Sequence, residues 1–118
     1  MKLRRIKEIL QATIVYGEDH LDDEMTCAGA ADLMSDVLAF GKPGMVLLTG
    51  LSSAQSVRTA IITDARALVY VRGKRPEPAG IELAREKGVP LLTTEFTMYK
   101  ACGLLWNQGL PGVADLGK

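Results

Sequence analysis

Three short runs that are apolar at every position recur along the later part of this chain: Met45-Val46-Leu47-Leu48, Leu68-Val69-Tyr70-Val71 and Val89-Pro90-Leu91-Leu92. A strand that is apolar on both faces has to be covered on both faces, which happens in parallel sheets flanked by helices. Each run is followed by a polar loop and then by residues at helical spacing: Val57, Ala60 and Ile61 after the first, Ile81 and Ala84 after the second, and Met98, Ala101, Cys102 and Leu105 after the third. Alternation of this kind specifies βαβ units joined by right-handed crossovers. The expected fold is therefore an α/β domain of three layers, α/β/α, with a mainly parallel sheet.

The earlier part of the chain supplies further elements. Leu3, Ile6, Ile9 and Leu10 form the apolar stripe of a short helix. Thr13-Ile14-Val15-Tyr16 reads as a β-branched strand ended by Gly17. Alternation over Glu24 to Ala28 predicts a second, half-exposed strand with Met25 and Cys27 on one face. Asp32 stands where the N-cap of a helix reaching Phe40 belongs. Gly88 is placed to stop the helix before the third apolar run, and Thr94 to cap the helix after it. A chain of 118 residues makes one domain. Residues 1–110 account for it, and the Pro- and Gly-containing residues 111–118 are expected to form a loosely held tail.

Composition narrows the partners. Lys plus Arg and Asp plus Glu are 14 each, so the formal net charge is zero. A dedicated binder of nucleic acid or of an anionic membrane shows a basic excess. Zero net charge also leaves copies of the chain free to associate. No stretch approaches the roughly 20 apolar residues of a membrane span. The basic start, Met1 to Lys7, has no apolar core of a signal peptide. The expectation is a cytoplasmic protein whose two cysteines, Cys27 and Cys102, remain free thiols.

In an open parallel sheet, ligands bind outside the carboxyl ends of the strands, where helix N-termini present free N–H groups. Three loops should gather there. Thr49-Gly50-Leu51-Ser52-Ser53 offers a close-approach glycine, hydroxyls and a helix start; Arg72-Gly73-Lys74-Arg75 brings cations around a glycine; Thr93-Thr94 adds hydroxyls. Together they suit a carboxylate or a phosphate. The same residues also serve as caps, turn glycines and a solvated loop in other βα connections. Asp32 and Asp36, at the start of a neighbouring helix, are candidates to hold a ligand or an adjoining loop.

Catalytic equipment is thin. The one histidine, His20, stands among Glu18, Asp19, Asp22, Asp23 and Glu24, without the spacing of a calcium loop. No Cys–His or Ser–His pair is in view. Neither Gly41-Lys42-Pro43 nor Gly73-Lys74-Arg75 completes a P-loop, and no Gly-x-Gly-x-x-Gly is present. No cofactor or metal is called for.

The order Gly29-Ala30-Ala31-Asp32-Leu33-Met34-Ser35-Asp36-Val37-Leu38-Ala39, then Leu47-Leu48-Thr49-Gly50, then Val89-Pro90-Leu91-Leu92-Thr93-Thr94 before Phe96-Thr97, resembles the DRTGG domain. That domain is similar in fold to the N-terminal domain of HPr kinase/phosphorylase. The likeness runs from about Met1 to Leu110, with two departures: Asp32 is followed by Leu33 rather than Arg, and Thr-Gly-Gly reads Thr49-Gly50-Leu51. The resemblance implies a non-catalytic regulatory or accessory module, a homodimer, with a small anionic or nucleotide ligand. Two other readings stay open: a phosphotransferase-like enzyme using Asp36, Thr49 and Lys74, and a docking subunit of a hydrogenase-type redox system that binds a protein partner.

Overall fold

Residues 1–115 are described by the structure, a computed structural model. In chain order the elements are α1 (Leu3–Leu10), β1 (Thr13–Tyr16), β2 (Cys27–Ala30), α2 (Met34–Phe40), β3 (Met45–Thr49), α3 (Ala54–Thr63), β4 (Ala67–Tyr70), α4 (Pro78–Lys87), β5 (Leu91–Thr93) and α5 (Met98–Asn107), with short 3-10 turns at Glu18–His20 and Val113–Asp115. The sheet has five strands in the order β1-β5-β4-β3-β2. β2, β3, β4 and β5 run parallel, and β1 joins the β5 edge antiparallel.

Successive residues of a strand point to opposite faces, so each apolar run feeds two cores. Val46, Leu48, Val69 and Leu92 pack with Leu3, Ile6 and Leu10 of α1 and with Ala101 and Leu105 of α5. Met45, Leu47, Leu68, Tyr70 and Leu91 pack with Met34 and Val37 of α2, Val57 and Ala60 of α3, and Ala84 of α4. This is the expected three-layer α/β/α sandwich. The helix before β5 ends at Gly88 in the left-handed conformation, φ 72°, with Lys87 in its last turn, as the sequence requires.

Four local expectations are corrected. The second strand is Cys27–Ala30 rather than Glu24–Ala28, and Met25 and Cys27 fall into opposite cores. Glu24 is tied instead to the N-terminus, its carboxylate 3.0 Å from the Met1 ammonium. Asp32 does not cap α2: the N-cap position is Leu33, and no side chain caps that helix. Thr94 does not cap α5; Thr97 does, accepting the Lys100 N–H. The tail is not loose from residue 111 onward. As an edge strand, β2 has N–H groups to satisfy. The Pro111 carbonyl accepts the Ala28 N–H at 2.9 Å, and Leu110 and Val113 are buried. Residues 116–118 lie outside the described residues.

Cys27 is buried and Cys102 half-buried, both free thiols. Among the described residues no helix is long and apolar enough to cross a membrane.

Candidate ligand-binding site

Because β2 to β5 are parallel, the connections that leave them emerge on one edge of the sheet. Asp32 follows β2, Thr49 to Ser53 lead from β3 into α3, Val71 to Glu77 lead from β4 into α4, and Thr94 to Thr97 lead from β5 into α5.

Asp32 and the β3 loop are bonded to each other. Asp32 Oδ1 accepts the Gly50 N–H at 2.6 Å and the Thr49 hydroxyl at 3.3 Å. The Thr49 side chain is buried, and its oxygen also accepts the Leu51 N–H at 3.1 Å. Thr49 is therefore spent inside the fold, shaping the turn that presents Gly50. Gly50 lies beside both groups: a Cβ there would stand 2.6 Å from Arg72 Nη2, the mobile end of an exposed side chain, and 3.3 Å from Asp32 Oδ1. The Arg72 guanidinium and the Asp32 carboxylate thus flank one bare stretch of backbone. Asp32 and Arg72, from two different loops, both lie beside Gly50.

The β4 loop is held in a sharp left-handed reversal, φ 59° at Arg72 and 69° at Gly73. Its backbone is pinned to the β5 loop, with Arg72 N–H donating to Phe96 O and Gly73 N–H to Thr94 O, both at 2.8 Å. The Thr93 hydroxyl donates to Lys74 O at 2.7 Å. The loop is thereby rigid while the side chains of Arg72, Lys74 and Arg75 stay exposed. Ser52 and Ser53 are half-buried at the start of α3. The Ser52 carbonyl accepts the Glu77 N–H at 2.9 Å, and Ser53 occupies the N-cap position without a side-chain cap.

Beneath this edge, the Tyr70 hydroxyl shares a 2.8 Å hydrogen bond with Ser56 Oγ. Burial pushes the Tyr70 phenol above its ordinary pKa, against the smaller opposing effect of the Ser56 bond. Tyr70 is a neutral, bonded floor under the loops.

Of the residues predicted for the site, the structure brings Asp32, Thr49, Gly50 and Arg72 together, with Ser52, Ser53, Lys74 and Thr93 on the adjoining loops. It does not bring Thr94 to the surface: that side chain is buried, donating to Leu10 O at 2.7 Å and accepting the Phe96 N–H at 3.2 Å. Asp36 is exposed along α2, and the loop-holding task offered to it falls to Asp32. One residue was missed, Glu95, whose carboxylate lies 2.6 Å from where a Gly73 Cβ would be. Its place directly after Thr93-Thr94, in a loop already assigned to this edge, was the available signal. Among the described residues, no group of three or more His, Cys, Asp or Glu side chains converges to hold a metal. His20 pairs with Asp23 at 2.8 Å, in the turn after β1.

The arrangement can do one thing well. Exposed guanidinium and ammonium groups on a rigid loop, beside a bare glycine and a helix N-terminus, attract and orient an oxyanion. The nearest hydroxyls are committed or lack a base.

The family model for the DRTGG domain matches residues 5–106. The fold is similar to a solved structure of the CBS and DRTGG domains of the regulatory region of Clostridium perfringens pyrophosphatase, complexed with its activator, diadenosine tetraphosphate. The TM-score is 0.71 at 20% identity, over 99% of this chain and 50% of that one, so the chain spans about half the length of that solved regulatory region. No curated protein matches the sequence significantly.

Proposed function

The chain belongs to the DRTGG domain family, and on that premise we propose that it is a non-catalytic regulatory module that senses a small phosphate-bearing ligand, a nucleotide by preference, at the carboxyl edge of its sheet. The observation that carries the reading is Arg72 laid across Gly50 opposite Asp32, with Lys74 and Arg75 exposed on the same rigid loop. Binding at such an edge engages exposed cationic side chains rather than a reacting atom, which suits a sensor. The Clostridium perfringens relative is a regulatory region crystallised with a nucleotide activator, and that supports a nucleotide as the first ligand class to try. In this reading the module is cytoplasmic and works as a homodimer, its zero formal charge leaving no long-range repulsion between copies.

A phosphotransferase reading is less well supported. The Thr49 hydroxyl is buried and bonded to Asp32, so it offers no nucleophile.

The test is a thermal-shift and calorimetry screen of mono- and dinucleoside polyphosphates and inorganic pyrophosphate. A true ligand raises the melting temperature in proportion to RT ln(1 + [L]/Kd). Arg72→Ala and Lys74→Ala should each weaken binding by about tenfold, as for loss of a charge-assisted hydrogen bond of about 1.5 kcal/mol. Binding should also weaken as salt rises. Absence of any shift at millimolar ligand, or shifts indifferent to both substitutions, would remove the proposal.

A further inference from the structure

Holding the β3 loop asks for less than Asp32 provides. One acceptor atom is enough, and Oδ1 alone takes both the Gly50 N–H and the Thr49 hydroxyl. The amide oxygen of an Asn could do the same. Oδ2 receives no hydrogen bond from the described residues, and Asp32 is an exposed residue. The second oxygen and the negative charge are therefore left over by the fold.

Both face a cation. The place where a Gly50 Cβ would stand lies 3.4 Å from Asp32 Oδ2 and 2.6 Å from Arg72 Nη2. Yet the carboxylate and the guanidinium do not close into an ion pair: the salt bridges among the described residues are those of the Met1 ammonium, Arg4 and His20. The two groups also differ in freedom. Asp32 is fixed by its two bonds, whereas Arg72 carries an exposed side chain on a loop whose backbone is pinned. A site for phosphate alone gains nothing from this carboxylate, because a like charge beside the ligand weakens binding. A fixed acceptor next to an adaptable cation suits a ligand that presents a donor and an oxyanion side by side.

We propose that Asp32 Oδ2 accepts a hydroxyl of the ligand while Arg72 takes its phosphate, so that the site selects a ribonucleotide over an inorganic phosphate. The inference rests on the phosphate-sensing reading above and adds the group that gives it specificity. The chemistry matches on both sides. A carboxylate oxygen only accepts and a guanidinium only donates, and a ribose phosphate offers hydroxyl donors within a few bonds of its phosphoryl oxygens. Arg72, Lys74 and Arg75 cannot tell a nucleotide from a free polyphosphate, since both present the same oxygens. A hydroxyl contact can, because a site that bonds a hydroxyl penalises the analogue lacking it. Asp32 is exposed, so the discrimination is that of one hydrogen bond to a charged group at its lower end, roughly tenfold.

Asp32→Asn separates the two oxygens of the carboxylate. It keeps an acceptor for Gly50 and Thr49 and turns the outward atom into an uncharged donor. Calorimetry on the full chain compares ATP, 2′,3′-dideoxy-ATP and inorganic tripolyphosphate, for the parent, Asp32→Asn and Arg72→Ala. The parent should bind ATP roughly tenfold more tightly than 2′,3′-dideoxy-ATP, which has the same charge and lacks only the ribose hydroxyls. In Asp32→Asn that ratio should fall to about twofold or less, while tripolyphosphate binds as tightly as to the parent or more so, a negative charge having been removed. Arg72→Ala should weaken all three ligands and keep the ratio. A parent that binds ATP no better than its dideoxy analogue overturns the inference and leaves the phosphate-sensing reading standing. So does a preference that survives in Asp32→Asn, or an Asp32→Asn chain that loses tripolyphosphate as well, which would make Asp32 a brace and nothing more. A parent that binds none of the three overturns that reading and the inference together.

Discussion

Asp32 takes an N–H and a hydroxyl from the β3 loop on a single oxygen, and a carboxylate so used fixes where Gly50 and Arg72 can lie. Removing it in Asp32→Ala leaves the Gly50 N–H to water at a half-exposed position. The expected loss is about 1 kcal/mol, the ordinary net worth of such a bond, and Asp32→Asn, which keeps an acceptor, should lose less. Urea unfolding midpoints at constant slope measure both. If Asp32→Ala is as stable as the parent, the carboxylate is not a structural tie. The sequence identified Asp32 by type, since a short acid before a helix is an N-cap far more often than an inter-loop brace. Its partner could not be read, because the bond crosses from one βα unit to the next and has no spacing signature.

The helices and apolar strands were legible because each is set by a periodicity contained within itself. α3, α4 and α5 and their preceding strands fall where apolar spacing puts them, and the α4 stop at Gly88 follows from local conformational freedom. β2 was displaced for the converse reason. Cys27-Ala28-Gly29-Ala30 has no β-branched residue, and it is a strand because β3 pairs along its whole length. The two threonines before α5 are alike in sequence and differ in structure. Thr97 is a surface cap, while Thr94 joins the β5 loop to the end of α1 from a buried position. Thr94→Val should therefore cost about 1–3 kcal/mol, the cost of orphaning buried partners, and Thr97→Ala about 1 kcal/mol. Thermal unfolding of the two variants checks the order, and equal losses would contradict the buried tie.

For the whole molecule, three-layer architecture followed from the repeated βα pattern, since doubly apolar strands admit few other solutions. The closure of the two sheet edges did not. At one edge the tail supplies a carbonyl and apolar side chains to β2. At the other, β1 adds antiparallel to β5, with Thr13 opposite Thr93. Both closures join segments far apart in sequence, beyond the reach of any local pattern. The β1 edge also orders events in time. β2, β3 and β4 pair with strands that follow one after another, whereas β1 is made early and must wait for nearly the whole chain before its partner exists. Loop closure across that distance is the slow, entropically costly step of assembly. β1 therefore lacks its sheet partner until β5 has been made, and its pairing is expected last. Pulse-labelled hydrogen exchange during refolding should find the β1–β5 amides protected after those of β3 and β4. Earlier or simultaneous protection would show that the sheet nucleates across its ends.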